Sequence, residues 1–240
     1  MTKLALVTGG TRGIGSSISI ALKQKNYKVI ANYASNDEAA NGFSKSNEIE
    51  VIKWDVSSYD ECTQNISKIK DQHGPIEILV NNAGITKDAP LHKMEKKNWD
   101  NVININLNSI FNVTSNVIND MRQNNFGRIV HISSVNGQKG QFGQTNYAAT
   151  KSAIAGFSKS LALESASKGI TSNVISPGYI NTEMVAAIRE DILKSIIETI
   201  PTKRLGESSE IAELVLFLVS EKAGYINGAN FSINGGLRMD

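Results

Sequence analysis

A single cysteine, Cys62, stands among the 240 residues, so no disulfide can form within the chain. The three histidines, His73, His92 and His131, lie far apart with no HExxH or CxxC spacing near them, and no bound metal is expected. Four prolines and no Pro/Ser-rich tract leave nothing that reads as a linker, and no segment repeats. The apolar run in MTKLALVTGG meets glycine within its first ten residues, so neither a signal peptide nor a spanning helix is expected there. A bias of charge is missing too. Against 25 Lys+Arg stand 23 Asp+Glu, a formal +2, and the basic residues are scattered rather than striped. That excludes the electrostatic footprint of a nucleic-acid binder. What remains is ordinary globular usage, 40% hydrophobic and 20% charged, enough to build a sizeable core. A reducing cytoplasm is the expected compartment.

Short apolar runs alternate with longer amphipathic stretches: LALVT, YKVIANYA, VIKWDV, ILVNNAG, GRIVHISS, TSNVISPG and ANFSING. Their Val/Ile/Leu content without polar alternation reads as strands covered on both faces of a parallel sheet. Between them lie helix-length segments, among them one ending near Lys25, Ser58 to Gln72, Asn98 to Asn124, Asn146 to Lys168 and Ile211 to Val219. The pattern predicts an α/β fold and one domain over residues 1–240, with the looser segment 179–206 as a lid. Pro90 and Pro201 are expected in loops.

TGGTRGIG, Thr8 to Gly15, follows the first strand directly and opens into a helix. Glycines there let backbone N–H groups approach a pyrophosphate, and a helix N-terminus adds partial positive charge. The spacing is G-x-x-x-G-x-G rather than the general G-x-G-x-x-G, and such a turn also serves tight packing. The second strand ends Asn32-Tyr33-Ala34-Ser35 without the carboxylate that NAD readers usually place there. Arg12 would pair with a 2′-phosphate, which favours NADP. Asp37 and Glu38 follow closely and argue the other way unless they open the next helix, where acidic residues suit the dipole. Trp54-Asp55-Val56 and Asn81-Asn82-Ala83-Gly84 stand at the carboxyl ends of strands, the edge where open α/β sheets bind ligands.

Tyr147 and Lys151 lie four apart in a helical pattern and project from one face. Ser134 ends the fifth strand, and Asn106 lies in the preceding helix. TGGTRGIG, NNAG, ISS, YAATK and SPG, in this order and spacing, resemble the short-chain dehydrogenase/reductase family over essentially the whole chain. The resemblance implies a Rossmann fold, a doubly wound seven-stranded parallel sheet with helices on both faces. It implies a tetrad carried by Asn106, Ser134, Tyr147 and Lys151. Tyr147 would protonate a carbonyl oxygen as hydride arrives, and Lys151 should favour the phenolate and bring its pKa down from about 10. Ser134 would hydrogen-bond the carbonyl. Asn106 would hold, through a backbone carbonyl and a water, the relay that returns a proton to the lysine. Cofactor contacts would fall to Gly9, Thr11, Arg12, Gly13, Ile14, Gly15, Asp55, Val56, Asn82, Ala83, Gly84, Tyr147, Lys151, Pro177, Gly178 and Ile180.

HISSVNGQKGQFGQTNYAATK, NNAGITKD, SPGYINTEMV, IPTKRLG and FSINGGLRM resemble more closely the family members that reduce short 3-oxoacyl-CoA thioesters for polyhydroxybutyrate synthesis. Next nearest are the fatty-acid-synthesis members that use acyl carrier protein. The implied reaction is NADPH-dependent reduction of acetoacetyl-CoA to (R)-3-hydroxybutanoyl-CoA, by a homotetramer. Gln141, Phe142, Gln144 and Tyr179, with Ser134 and Tyr147, would border the acyl group, although the loop also reads as a surface turn. Packing between subunits would use Ala149, Ala153, Phe157 and Leu161. Carrier-protein users tend to carry basic residues near the cleft; before the fifth strand, at one such position, this chain has Asn125, although Lys168 fills a second such position and Arg122 and Arg128 are close. A non-catalytic cofactor-binding protein would show a damaged tetrad, and all four residues stand in place here.

Overall fold

The computed structural model describes residues 2–186 and 188–239; Met1, Ala187 and Asp240 lie outside the described residues. The strands are β1 (Leu4–Val7), β2 (Lys28–Tyr33), β3 (Glu50–Lys53), β4 (Ile78–Asn81), β5 (Gly127–Ile132), β6 (Ile170–Pro177) and β7 (Asn230–Ile233). The helices are α1 (Gly13–Gln24), α2 (Asp37–Asn47), α3 (Tyr59–His73), α4 (Lys96–Ile103), α5 (Ser109–Asn124), α6 (Val135–Lys139), α7 (Thr145–Ser165), α8 (Glu183–Ala186), α9 (Glu190–Thr199) and α10 (Ser208–Val219). All seven strands run parallel in the order β3-β2-β1-β4-β5-β6-β7. The order reverses between β1 and β4, which opens a crevice at their carboxyl ends. The expected doubly wound sheet is therefore present.

Successive side chains of a strand point to opposite faces. In β1, Ala5 and Val7 join one apolar layer with Ile18, Leu22, Ile211 and Val215, under α1 and α10. Leu4 and Leu6 join the other, with Ile66, Val113, Val117 and Met121 of α3 and α5. The expectation that every run is buried on both faces fails at the two edges. Glu50 and Lys53 of β3 are exposed, and β7 is only half-buried, because an edge strand has a neighbour on one side alone.

Two departures bear on the site. The helix expected over Asn98 to Asn124 is interrupted by a π turn, Asn104–Asn108, between α4 and α5. The stretch after Ser134, expected as loop, begins with the short helix α6, which Ser134 caps by accepting from the Asn136 N–H at 3.1 Å. Beneath the crevice a buried polar chain crosses the sheet. Asn81 Nδ2 donates to Thr114 Oγ1 at 3.2 Å and to His131 Nδ1 at 3.1 Å. His131 Nε2 meets Ser172 Oγ at 3.2 Å, and Ser172 meets Ser158 at 2.9 Å. Burial, and then the charge of Lys151, pull His131 down to about 3, so the ring is neutral near pH 7 and carries its proton on Nε2. Among the described residues no helix is long and apolar enough to cross a membrane.

Candidate active site

The turn after β1 is held from three sides. Thr8 Oγ1 accepts from the Asn82 and Ala83 N–H groups at 3.0 and 3.1 Å, and Asn82 Nδ2 donates to the Thr8 and Gly9 carbonyls at 3.0 and 3.1 Å. At the end of β2, Asn32 accepts from Gly9 N–H through Oδ1 at 3.3 Å and from Gly10 N–H through its carbonyl at 2.9 Å. Asn32 Nδ2 then reaches the Trp54 carbonyl at 3.0 Å. Gly9 has φ +60, and a Cβ on Gly15 would collide with the Gly9 carbonyl, so both positions require glycine. Side chains of Asn36 and Ser58 cap α2 and α3, but Arg12 leaves the start of α1 without a side-chain cap, and no acid stands in its first turn. Open N–H donors above a closely packed turn fit a pyrophosphate.

Asp37 and Glu38 occupy the first turn of α2 behind the Asn36 cap, as a helix opening would place them. Asp37 is engaged by Lys53 at 2.9 Å and by the Tyr33 hydroxyl. Arg12 is exposed beside the turn. Asp55 is exposed and accepts from Ser57 N–H and Oγ at 2.8 and 2.7 Å. Val56 is buried, its carbonyl fixed by Asn112 Nδ2 at 3.1 Å. Gly178 N–H binds the Ile233 carbonyl at 2.9 Å, which sets Pro177, Gly178 and the buried Ile180 at the crevice rim. A Cβ on Gly13 would lie 3.7 Å from Thr182 Cγ2. Thr182 thus borders the turn, a neighbour that no sequence motif singled out.

The four tetrad positions converge. Asn106, 1% exposed, turns both ends of its amide onto Ile85: Oδ1 accepts from the N–H at 2.8 Å, and Nδ2 donates to the carbonyl at 2.9 Å. A Cβ on Gly84 would stand 3.4 Å from Asn106 Oδ1 and 3.5 Å from Lys151 Nζ. Lys151 Nζ donates to the Ile132 carbonyl at 2.8 Å and lies 5.6 Å from the centre of the Tyr147 ring. Tyr147 and Ser134 pair through their hydroxyls.

The expected tuning of Tyr147 by Lys151 is not what this geometry produces. Burial, the largest cause, pushes the Tyr147 phenol above its ordinary 10; the Ser134 bond pulls it down and the charge of Asp88 pushes it up. The lysine is itself buried, which lowers it to about 8, and its ammonium is spent on a backbone carbonyl. Both groups therefore hold their protons near pH 7. A protonated phenol backed by an ammonium of modest pKa suits donation to a developing alkoxide.

The loop before Tyr147 is docked on the segment after NNAG: Ala89 N–H binds the Gly143 carbonyl at 2.8 Å, and the buried Asn146 donates to the Lys87 carbonyl at 2.9 Å. The structure does not place all the expected acyl-group residues around one space. Gln141 is exposed and accepts from Lys139 at 3.0 Å, and Phe142 is 85% exposed. Gly140 and Gly143, both at positive φ, turn this part of the loop outward. Gln144 and Tyr179 do share the crevice, but the Gln144 amide is already bonded, to Asn136 at 3.0 Å and Asp88 at 2.7 Å. Neither Asn136 nor Asp88 was selected from sequence, since only their tertiary neighbours distinguish them. Arg128 is also removed from the basic set: it is 6% exposed and donates to the Gly127, Gly169 and Ser220 carbonyls. On α7, Leu161 and Phe157 turn to the core, leaving Ala149 and Ala153 on the exposed face.

A doubly wound sheet with a glycine turn after β1 and an Asn, Ser, Tyr and Lys gathered at its carboxyl edge defines a nicotinamide-dependent oxidoreductase, and the chain belongs to the short-chain dehydrogenase/reductase family. A family model described as Enoyl-(Acyl carrier protein) reductase matches residues 9–238. The chain is 58% identical over 237 residues to the acetoacetyl-CoA reductase of Shinella zoogloeoides, and 54% identical over 237 residues to that of Rhizobium meliloti (strain 1021). Each alignment covers 98% of both proteins. The 3-oxoacyl-acyl-carrier-protein reductase FabG of Staphylococcus epidermidis is 41% identical over 244 residues, covering 100% of both.

Proposed function

We propose that the chain is an NADPH-dependent reductase of short 3-oxoacyl thioesters and converts acetoacetyl-CoA to (R)-3-hydroxybutanoyl-CoA. The observation that carries this reading is the 58% identity, over 98% of both proteins, to an acetoacetyl-CoA reductase. The turn from Gly9 to Gly15 would hold the pyrophosphate, with Thr11 and Ile14 beside it, and Asp55 and Val56 would border the adenine end. Asn82, Ala83, Gly84, Pro177, Gly178 and Ile180 would line the nicotinamide end. Bound there, the cofactor supplies the hydride. Ser134 holds the 3-oxo group, Tyr147 gives it a proton, and Lys151 replaces that proton. Asn106, seated on Ile85, keeps the wall beside Lys151 in register. The chain acts as one domain in this reading, and segment 179–206 serves as its lid. Its ends are tied together by Gly206 N–H to the Tyr179 carbonyl at 2.9 Å and Asn181 N–H to the Gly206 carbonyl at 2.8 Å. A cytoplasmic place in polyhydroxybutyrate synthesis follows from the same reading.

The carrier is tested by comparing kcat/KM on acetoacetyl-CoA and on acetoacetyl-acyl-carrier-protein. The CoA thioester should be preferred, and an eight-carbon 3-oxoacyl-CoA should fare worse than the four-carbon one. Carrier proteins are acidic and call for a basic approach to the cleft. Here Arg128 is buried, and Asn125 stands among Arg122 and Lys168 on an open groove. Better turnover of the carrier-protein thioester would give the fatty-acid reading its place.

NADPH should bind more tightly than NADH, because Arg12 is exposed beside the turn while Asp37 is neutralised by Lys53. Removing a charged contact to the 2′-phosphate with Arg12→Ala should narrow the ratio of the two dissociation constants by about tenfold or more. Equal binding of both cofactors by the unaltered protein would end the assignment. Light scattering should give the mass of a tetramer, with the exposed Ala149 and Ala153 face of α7 and the exposed Phe111 of α5 covered by other subunits. A stable monomer at micromolar concentration would contradict it.

A further inference from the structure

Asn136 lies near the start of α6, 7% exposed, and its side chain joins two segments that are distant in sequence. Its Nδ2 donates to Gln144 Oε1 at 3.0 Å; burial pushes the Tyr179 phenol up, and the same amide draws it down. Gln144 Nε2 donates to Asp88 Oδ2 at 2.7 Å. This chain of bonds has a direction. A carboxylate only accepts, so Asp88 turns the nitrogen of Gln144 toward itself and leaves the Gln144 oxygen facing Asn136. That oxygen takes one N–H of Asn136, and the second N–H is left for the Tyr179 oxygen. A phenol that accepts on its oxygen keeps its own proton to give. The negative charge of Asp88 acts on both Tyr147 and Tyr179, so the chain of bonds ends in the crevice that holds the proton donor.

The far side of the same amide makes no bond. Asn136 Oδ1 is buried without a partner, a cost that leucine, of similar size, would avoid. Packing therefore does not explain an asparagine here.

We infer that Asn136 is a positioning residue for the acyl substrate: it locks the Gln144 amide and the Tyr179 hydroxyl in one orientation, so that Tyr179 presents its O–H as a donor to the thioester oxygen. The inference rests on the reductase reading above and adds the residue that sets substrate affinity within it.

Asn136→Leu and Asn136→Asp, neither able to donate at neutral pH, should raise KM for acetoacetyl-CoA about tenfold while kcat changes less than about threefold. The NADPH dissociation constant, read by fluorescence, should stay within about twofold, because the residue does not touch the glycine turn. In a Tyr179→Phe, Gln144→Ala background, Asn136→Leu should change KM by less than about twofold, since its partners are gone. Full additivity in that background, an unchanged KM in the single variants, or a loss confined to kcat and melting temperature would overturn the inference. Asp keeps the shape of Asn, so it decides the matter should the leucine variant not fold. If the unaltered enzyme prefers another 3-oxoacyl thioester, the named substrate fails and the same KM ratios are read on that thioester. If it reduces none, both readings fall.

Discussion

Tyr147→Phe should lower kcat for thioester reduction by roughly 10²–10⁴-fold, the usual worth of a positioned general acid, and leave NADPH binding within about twofold of normal. The change removes one oxygen from a side chain whose pKa burial holds above 10, and which is therefore protonated throughout the working range. Neither neighbouring hydroxyl should replace it, since Tyr179 is assigned to the thioester oxygen in the reading above. Ser134 lies beside Tyr147 but already accepts the Asn136 N–H at the head of α6, and an aliphatic hydroxyl is a far weaker acid than a phenol. Stopped-flow reduction under saturating NADPH reads the chemical step directly. Retention of a tenth of the normal rate would assign the proton to another group.

Lys151→Ala should be the more damaging change, because in the proposed reading Lys151 serves both the proton supply and the cofactor pocket. Nζ sits beside Gly84 and on the Ile132 carbonyl, in fully buried space. The variant should lose reductase activity to a similar extent and also bind NADPH more weakly. The unaltered enzyme carries the same information in its pH profile. Burial lowers Lys151 from its ordinary 10.5 to about 8. Below that pH the ammonium can refill Tyr147; above it the reduction rate should fall about tenfold per pH unit. Stability moves oppositely. The folded protein sheds the proton more readily than the unfolded chain, so between pH 8 and 10.5 this group makes folding more favourable by about 1.4 kcal/mol per pH unit. Below pH 8 its contribution is level. Loss of activity without loss of structure above pH 8 is the expected signature, and a rate flat from pH 7 to 10 would remove Lys151 from the proton path.

The sheet was legible because buried parallel strands are written as unbroken Val/Ile/Leu runs, and five of the seven are buried through at least three of their residues. The edges were read as more buried than they are, since an apolar run does not say whether a second neighbour exists. The tetrad was legible as a spacing, and the spacing does bring Asn106, Ser134, Tyr147 and Lys151 to one crevice. Its electrostatics were not. Reading Lys151 as lowering Tyr147 treats two charges as if solvated, whereas burial acts on each group before they act on one another. The loop from Gln141 to Gln144 divides in the structure: Gln144 shares the crevice, whereas Gln141 and Phe142 are exposed. Phe142 looks like a pocket wall in sequence, and it lies 85% exposed between Gly140 and Gly143, both at positive φ. Asn136 and Asp88 carry no periodicity or motif; their meaning lies in bonds between residues far apart in the chain.

The π turn at Asn104–Asn108 sets the rotational phase of everything around it. Such a turn holds one residue more than an α-helical turn, so α4 and α5 form a continuous rod whose two halves are out of step by about 100°. Shortening that rod by one residue would bring the halves into step and restore regular bonding, with α5 still seated on the sheet. The amide facing Ile85 would then belong to a neighbour of Asn106, or to no amide at all. The rod thus behaves like a keyed joint, in which local helical regularity is given up so that a single asparagine meets one peptide unit beside the lysine.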